Sequence, residues 1–128
     1  KDAEAIDAYL RSLEPVPSPH LVDGQLSKSA RRGKRLFRRA GCAECHGGDY
    51  LTDMARYDVG TGTGRHSGTA FDTPSLVEVW RTAPYLYDGR AATMQEVLRE
   101  HNRKDRHGKT SELNDRQIED LAEYILSR

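Results

Sequence analysis

The chain has 128 residues, enough for one domain of ordinary size, and only 36% of them are hydrophobic. Twenty basic and twenty acidic residues cancel, so net charge implies no polyanionic partner, and no apolar run is long enough to span a bilayer. The low apolar fraction suits a domain that completes its core around a bound apolar group.

In chain order, Asp2 to Leu13 places Ala5, Ile6, Tyr9, Leu10 and Leu13 at helical spacing, which predicts an amphipathic helix. Pro15-Val16-Pro17-Ser18-Pro19 stops it and reads as a stiff, extended linker. A second helix is predicted over Ser29 to Arg39, with Ala30, Gly33, Leu36 and Phe37 inward and Gly41 as its stop. Residues Gly47 to Thr73 carry many glycines and no sustained period, so they are expected to form a long loop. Asp72 to Trp80 reads as a short helix with Pro74 in its first turn. Thr93 and Glu96 have capping-box spacing and open a helix to about His101. Asn114 or Asp115 caps a last helix with Ile118, Leu121, Ala122 and Ile125 inward.

Between the second helix and the long loop lies Cys42-Ala43-Glu44-Cys45-His46, which holds both cysteines of the chain. Two thiols at this spacing, followed directly by histidine, are what covalent haem c attachment needs: the thiols add to the haem vinyls and the imidazole binds the iron. Zinc would want a second pair of Cys or His ligands, and a redox dithiol would want a βαβ setting; neither pattern is present. One covalent haem c is therefore expected, attached through Cys42 and Cys45 with His46 as proximal ligand. Haem c points to the periplasm or another exported compartment. The chain carries neither signal peptide nor initiator Met and reads as mature, trimmed or cut from something larger.

Gly33 and Phe37 on one helix, and Leu121 and Tyr124 on the last, are expected to meet where the two helices cross. The first of these is basic from Lys28 to Arg39 and the other acidic from Glu112 to Glu123, which suits the pairing. Most of the basic run reads as a solvated face, and with no interleaved aromatics it does not predict nucleic-acid binding. Ala8-Tyr9-Leu10-Arg11-Ser12-Leu13 echoes Glu123-Tyr124-Ile125-Leu126-Ser127-Arg128. Either these are unrelated amphipathic helices, or residues 1–27 hold the end of a preceding haem domain and a linker, with residues 28–128 forming the haem domain proper.

Gly33-x-x-x-Phe37 before the haem motif, with the helix of Leu121 and Tyr124, resembles the small c-type cytochromes. Phe71-Asp72-Thr73-Pro74-Ser75-Leu76 and Thr82-Ala83-Pro84-Tyr85-Leu86-Tyr87-Asp88-Gly89-Arg90-Ala91-Ala92-Thr93 resemble the C-terminal, electron-entry haem domain of the bacterial di-haem cytochrome c peroxidase family. The resemblance spans about Ser29 to Arg128 and implies an all-α cytochrome c fold, here with an extra N-terminal helix. It departs from the family pattern at Tyr87, where a His frequently precedes Asp-Gly. It also implies low expectations of calcium, which the carbonyls of Thr82 and Pro84 would hold only with oxygens from a preceding domain.

The remaining question is the second axial ligand. His20, Met54, His66, Met94, His101 and His107 are the candidates. Met94 and His101 share a helical stripe with Val97 and Leu98 but stand about 10 Å apart along the axis, so only one can reach the iron. The resemblance places residue 101 where the peroxidases' electron-entry haem has an axial Met, so His101 is the expected ligand and Met94 is expected to pack at the haem edge. His20, His66 and His107 lie in polar stretches and read as surface residues, although Asp105 to Ser111 could fold His107 over the haem. Trp80 reads as core, and Arg81 and Arg90 as solvated side chains or partners of the haem propionates. The expected function is one-electron transfer by a six-coordinate, low-spin haem, to a redox protein partner or an adjacent haem domain. The alternative is the haem domain of a peroxidase-type oxidoreductase.

Overall fold

A computed structural model describes residues 1–128. Four α-helices carry it: α1 (Asp2–Arg11), α2 (Lys28–Arg39), α3 (Met94–Arg99) and α4 (Asp115–Leu126). Two short antiparallel ribbons interrupt the helical pattern, β1 (Leu21–Val22) with β2 (Gln25–Leu26), and β3 (Arg56–Tyr57) with β4 (Phe71–Asp72). The fold is thus mostly helical with small strands that the sequence pattern did not predict.

The core is built where α2 crosses α4. Ser27 caps α2 by accepting a hydrogen bond from the Ala30 amide, and Asn114 and Gln117 form a reciprocal capping box at the start of α4. Ala30, Gly33, Leu36 and Phe37 face Ile118, Leu121, Ala122, Tyr124 and Ile125, the expected inward sets. The Phe37 and Tyr124 rings meet edge to face at 5.2 Å. Gly33 is the point of closest approach: a Cβ built there would lie 1.8 Å from the Asp120 carbonyl oxygen and 2.8 Å from the Tyr124 Cβ.

One polar group is buried beside this crossing. Asp120 is only 4% exposed and accepts two hydrogen bonds from the Arg32 guanidinium and one from the Ser29 hydroxyl, each at 2.6 Å. Arg32 is therefore the member of the basic run that pairs with α4, while Arg31 donates to the Leu26 carbonyl at 3.0 Å. The hydrogen bonds of Arg32 hold the Asp120 carboxyl below the ordinary value of 3.8, against the opposing effect of burial. A carboxylate with a depressed folded-state pKa contributes stability above its unfolded value and loses it as pH falls through the folded one. Asp120→Asn is thus expected to lower the urea midpoint at about pH 7 and to flatten the fall in stability as pH drops below the ordinary carboxylate value. Equal acid sensitivity in both proteins would show that this pair does not set the acid limb.

The segment expected to be a helix over Asp72 to Trp80 is not one. Its backbone is committed elsewhere: β4 pairs with β3, and the Thr73 amide donates to the Ala55 carbonyl at 2.8 Å. Thr73 and Tyr50 carbonyls accept from the hydroxyls of Thr52 and Ser75, both at 2.6 Å. Pro74 has no amide hydrogen and disfavours helical geometry at Thr73. Only Val79–Arg81 coils, as a single 3-10 turn after Glu78 takes a φ of 59°. The chain from Gly47 to Thr73 is the long excursion expected, pinned by β3 and a 3-10 turn at Gly64–His66.

The proline-rich stretch is extended but docked. Ser18 is buried and its hydroxyl donates to the Leu126 carbonyl at 2.6 Å, His20 pairs with Glu123 at 2.9 Å, and the Val16 amide donates to Glu78. His20 is accordingly half-buried and hydrogen-bonded to Glu123 rather than a free surface residue. By contrast α1 buries no residue, and Ile6, Tyr9, Leu10 and Leu13 remain more than half exposed.

Candidate haem-binding site

α2 delivers the Cys-x-x-Cys-His motif. Gly41 turns the chain with a φ of 83°, after which Cys42–Glu44 forms one 3-10 turn. The His46 amide then donates to the Cys42 carbonyl at 2.9 Å. Cys42 packs on the core that α2 and α4 build. His46 is 8% exposed, and its Nδ1 lies 3.1 Å from the Leu51 carbonyl, which can only accept. That bond fixes the Nδ1–H tautomer and leaves Nε2 as the free lone pair, the arrangement a metal-binding histidine needs. Burial also holds the His46 pKa below its ordinary value, favouring the neutral ring.

The two thiols are unpaired and half-buried. Burial pushes the Cys42 pKa up to about 11 and raises that of Cys45 as well. A redox dithiol works through a thiol whose pKa is depressed, so the local electrostatics are the reverse of a thioredoxin-type site.

A second loop closes on this motif. After α3, residues 102–111 form a compact arch organised by Asn102, which is 4% exposed. The Asn102 side-chain oxygen, Oδ1, accepts from the His107 main-chain amide at 2.8 Å. Its amide nitrogen is within reach of the carbonyls of His107 at 3.1 Å and Gly108 at 2.7 Å, and of the Thr110 hydroxyl at 2.8 Å. Thr110 in turn donates to the Leu98 carbonyl at 2.7 Å, tying the arch to α3. Its far side rests on the end of α2: the Lys109 amide donates to the Ala40 carbonyl at 2.8 Å. Gly108, with a φ of 83°, comes so close that an added Cβ would lie 3.3 Å from the Cys42 sulfur.

This arch sets the His107 ring 6.3 Å from the His46 ring, centroid to centroid, at an interplanar angle of 44°. Burial, with a smaller contribution from His46, lowers the His107 pKa to about 4, so its ring is neutral at physiological pH. The sequence reading of His107 as a surface residue is corrected on this point; its exception, a loop folding over the site, is what the structure contains.

His101 stands just past the end of α3. α3 ends at Arg99, and the amides of Glu100 and His101 both donate to the Glu96 carbonyl, at 2.9 and 3.0 Å. His101 thus falls just beyond the regular helix and is half-buried, whereas Met94, Val97 and Leu98 within it are buried. The structure brings His107 rather than His101 against His46. Met94 is 6% exposed in the core, while Met54 is 85% exposed.

The residues present fit a haem. His46 offers a free Nε2 directly after the second thiol in the chain, and Trp80 Nε1 is a buried donor with no partner, a lack that a haem propionate would satisfy. Arg90 lies over the Tyr87 ring at 5.3 Å and donates through Nη2 to the Thr61 carbonyl, while its buried Nε, 3.2 Å from Asp88, makes no hydrogen bond. Arg81 is half exposed and paired with Glu78. Tyr87 belongs to a small aromatic group, stacked on Phe71 at 4.7 Å and edge-on to His66 at 5.3 Å. Sequence reading singled out the Tyr but gave no sign of the group, because its members are distant in the chain.

The family model for cytochrome c matches residues 30–128. The gamma subunit of hydrazine synthase from Kuenenia stuttgartiensis is 31% identical, over 95% of this chain and 47% of that protein. A structure of Kuenenia stuttgartiensis hydrazine synthase superposes with a TM-score of 0.83 at 30% identity, covering 98% of this chain and 54% of that one. The methylamine utilization protein MauG of Methylorubrum extorquens is 32% identical, over 59% of this chain and 26% of that protein. These relatives are di-haem cytochrome c peroxidase-like proteins, and the chain spans about half the length of the first of them. No helix is long and apolar enough to cross a membrane. With the haem motif in place and most of its length matched, the chain belongs to the cytochrome c family.

Proposed function

We propose that this chain transfers single electrons through one haem c, attached at Cys42 and Cys45 and held six-coordinate and low-spin by His46 and a second side chain. The observation that carries the reading is the buried His46, which directly follows the two-thiol motif and is oriented by the Leu51 carbonyl so that Nε2 is free. The haem supplies the redox couple. The protein's part is to fix the proximal imidazole and its tautomer, to exclude water with the Asn102 arch, and to offer Trp80 as a donor to the haem carboxylates.

An adjacent haem domain, in an exported multi-haem protein, is the partner this reading favours. α1 supports it, since its apolar face has no cover within residues 1–128. The hydrazine synthase and MauG relatives are multi-haem proteins or subunits of complexes. On this reading residues 1–27 join two domains and residues 28–128 are the haem domain. Calcium at the Thr82 and Pro84 carbonyls would need that second domain. Peroxidase chemistry remains the alternative, for the parent protein rather than for this haem.

Denaturing electrophoresis with haem staining tests attachment. The wild type is expected to stain, and the Cys42→Ala and Cys45→Ala double variant to lose the stain completely, because both thioether bonds need a thiol. Staining that survives in the double variant would sink the assignment. Reversible reduction without turnover of hydrogen peroxide is expected of the carrier, whereas sustained peroxide consumption by the holoprotein would favour the alternative.

A further inference from the structure

The haem reading leaves open which side chain faces His46 across the iron, and the pairing of two histidine rings from separate loops answers it. A ring nitrogen lies about 1.1 Å from the imidazole centroid and binds a metal at about 2.0–2.1 Å, so two imidazoles on opposite sides of one ion have centroids about 6.3 Å apart. His46 and His107 stand at 6.3 Å. Coordination leaves the twist between the ring planes free, so their 44° angle is compatible.

We propose that His107, carried on the Asn102 arch, is the second axial ligand of the haem iron. Three independent contacts place the arch for this role. Asn102 binds both the amide and the carbonyl of His107, so the residue is gripped on each side of its Cα. Lys109 is anchored to the Ala40 carbonyl, at the end of the helix that leads into the haem motif. Gly108 passes the Cys42 sulfur at a distance that leaves no room for a larger residue to sit without displacement. The arch is therefore registered against the same turn that presents the thiols and His46. His101, past the end of α3, has no comparable contact with the motif. Bis-imidazole coordination closes both axial positions and gives a lower potential than a His/Met pair, which suits a carrier and disfavours peroxide binding at this iron.

The proposal rests on the haem reading, and ferric electron paramagnetic resonance with carbon monoxide binding to the reduced holoprotein tests the two separately. Wild type is expected to show a low-spin bis-imidazole signal and no carbon monoxide adduct. His107→Ala should become high-spin and bind carbon monoxide, with added imidazole restoring the low-spin signal, while His101→Ala and Met94→Ala keep the wild-type spectrum. Should His107→Ala fail to accumulate with haem, His107→Met provides the second route: its expected result is a His/Met low-spin signal and an upward shift in potential. A bis-imidazole signal unchanged in the His107 variants, or lost in His101→Ala instead, would overturn the ligation alone. Absence of covalent haem from the wild type would overturn the underlying reading and the ligation with it.

Discussion

Gly33→Ala is expected to destabilise the holoprotein by about 3 kcal/mol, near the top of the usual range for overpacking. The added methyl would lie 1.8 Å from a backbone oxygen of α4, so no rotamer change can relieve it and the two helices must separate. Helix propensity works the other way: Ala is about 1 kcal/mol better than Gly in a helix interior. That gain would dominate if the position were open. The sign of the effect therefore decides whether α2 and α4 cross at this residue. Separation would also loosen the Phe37–Tyr124 contact and the Arg32–Asp120 pair, which flank the same point. Chemical unfolding of the haem-loaded protein measures it, and a variant as stable as wild type, or more so, would refute the crossing.

The elements that were legible in the sequence are those whose signal is local or periodic. The haem motif needs only five consecutive residues, and α2 and α4 carry an apolar stripe that names its own buried face. Even the Gly33 contact could be anticipated, because a glycine inside a strongly patterned helix wants a packing reason. Asp72 to Trp80 was misread because a single Pro near the start of an apolar stretch fits a helix opening equally well as an extended crossing. The bonds that decide between them come from Tyr50, Thr52 and Ala55, which lie at least eighteen residues upstream of the groups they bind. His101 illustrates a different limit. Its place on the α3 stripe assumes nearly one further helical turn after Leu98, and the regular helix ends two residues before it, at Arg99. The arch that brings His107 to His46 has no periodicity at all. It is specified by one asparagine and a left-handed glycine, residues that ordinarily mark a surface turn.

Asn102→Ala is the substitution expected to convert that arch from a fixed support into a mobile loop. The side chain satisfies the His107 amide and reaches two carbonyls and a hydroxyl, and truncation leaves several of them without a partner in a buried setting. Each unsatisfied buried group costs about 1–3 kcal/mol, so a combined loss of about 3 kcal/mol or more is expected after relaxation. Thr110, itself 2% exposed, would keep its bond to the Leu98 carbonyl and hold the C-terminal end of the arch. The expected failure is therefore local, centred on His107. With His107 as the axial ligand, the holoprotein should show a partial high-spin population and slow carbon monoxide binding on reduction, intermediate between wild type and His107→Ala. Asn102→Asp should resemble the alanine variant, because a carboxylate accepts from the His107 amide but confronts the two carbonyls with a third negative oxygen. A purely structural staple would lower the unfolding midpoint and leave the iron spectrum untouched, and that outcome would separate the arch from the metal.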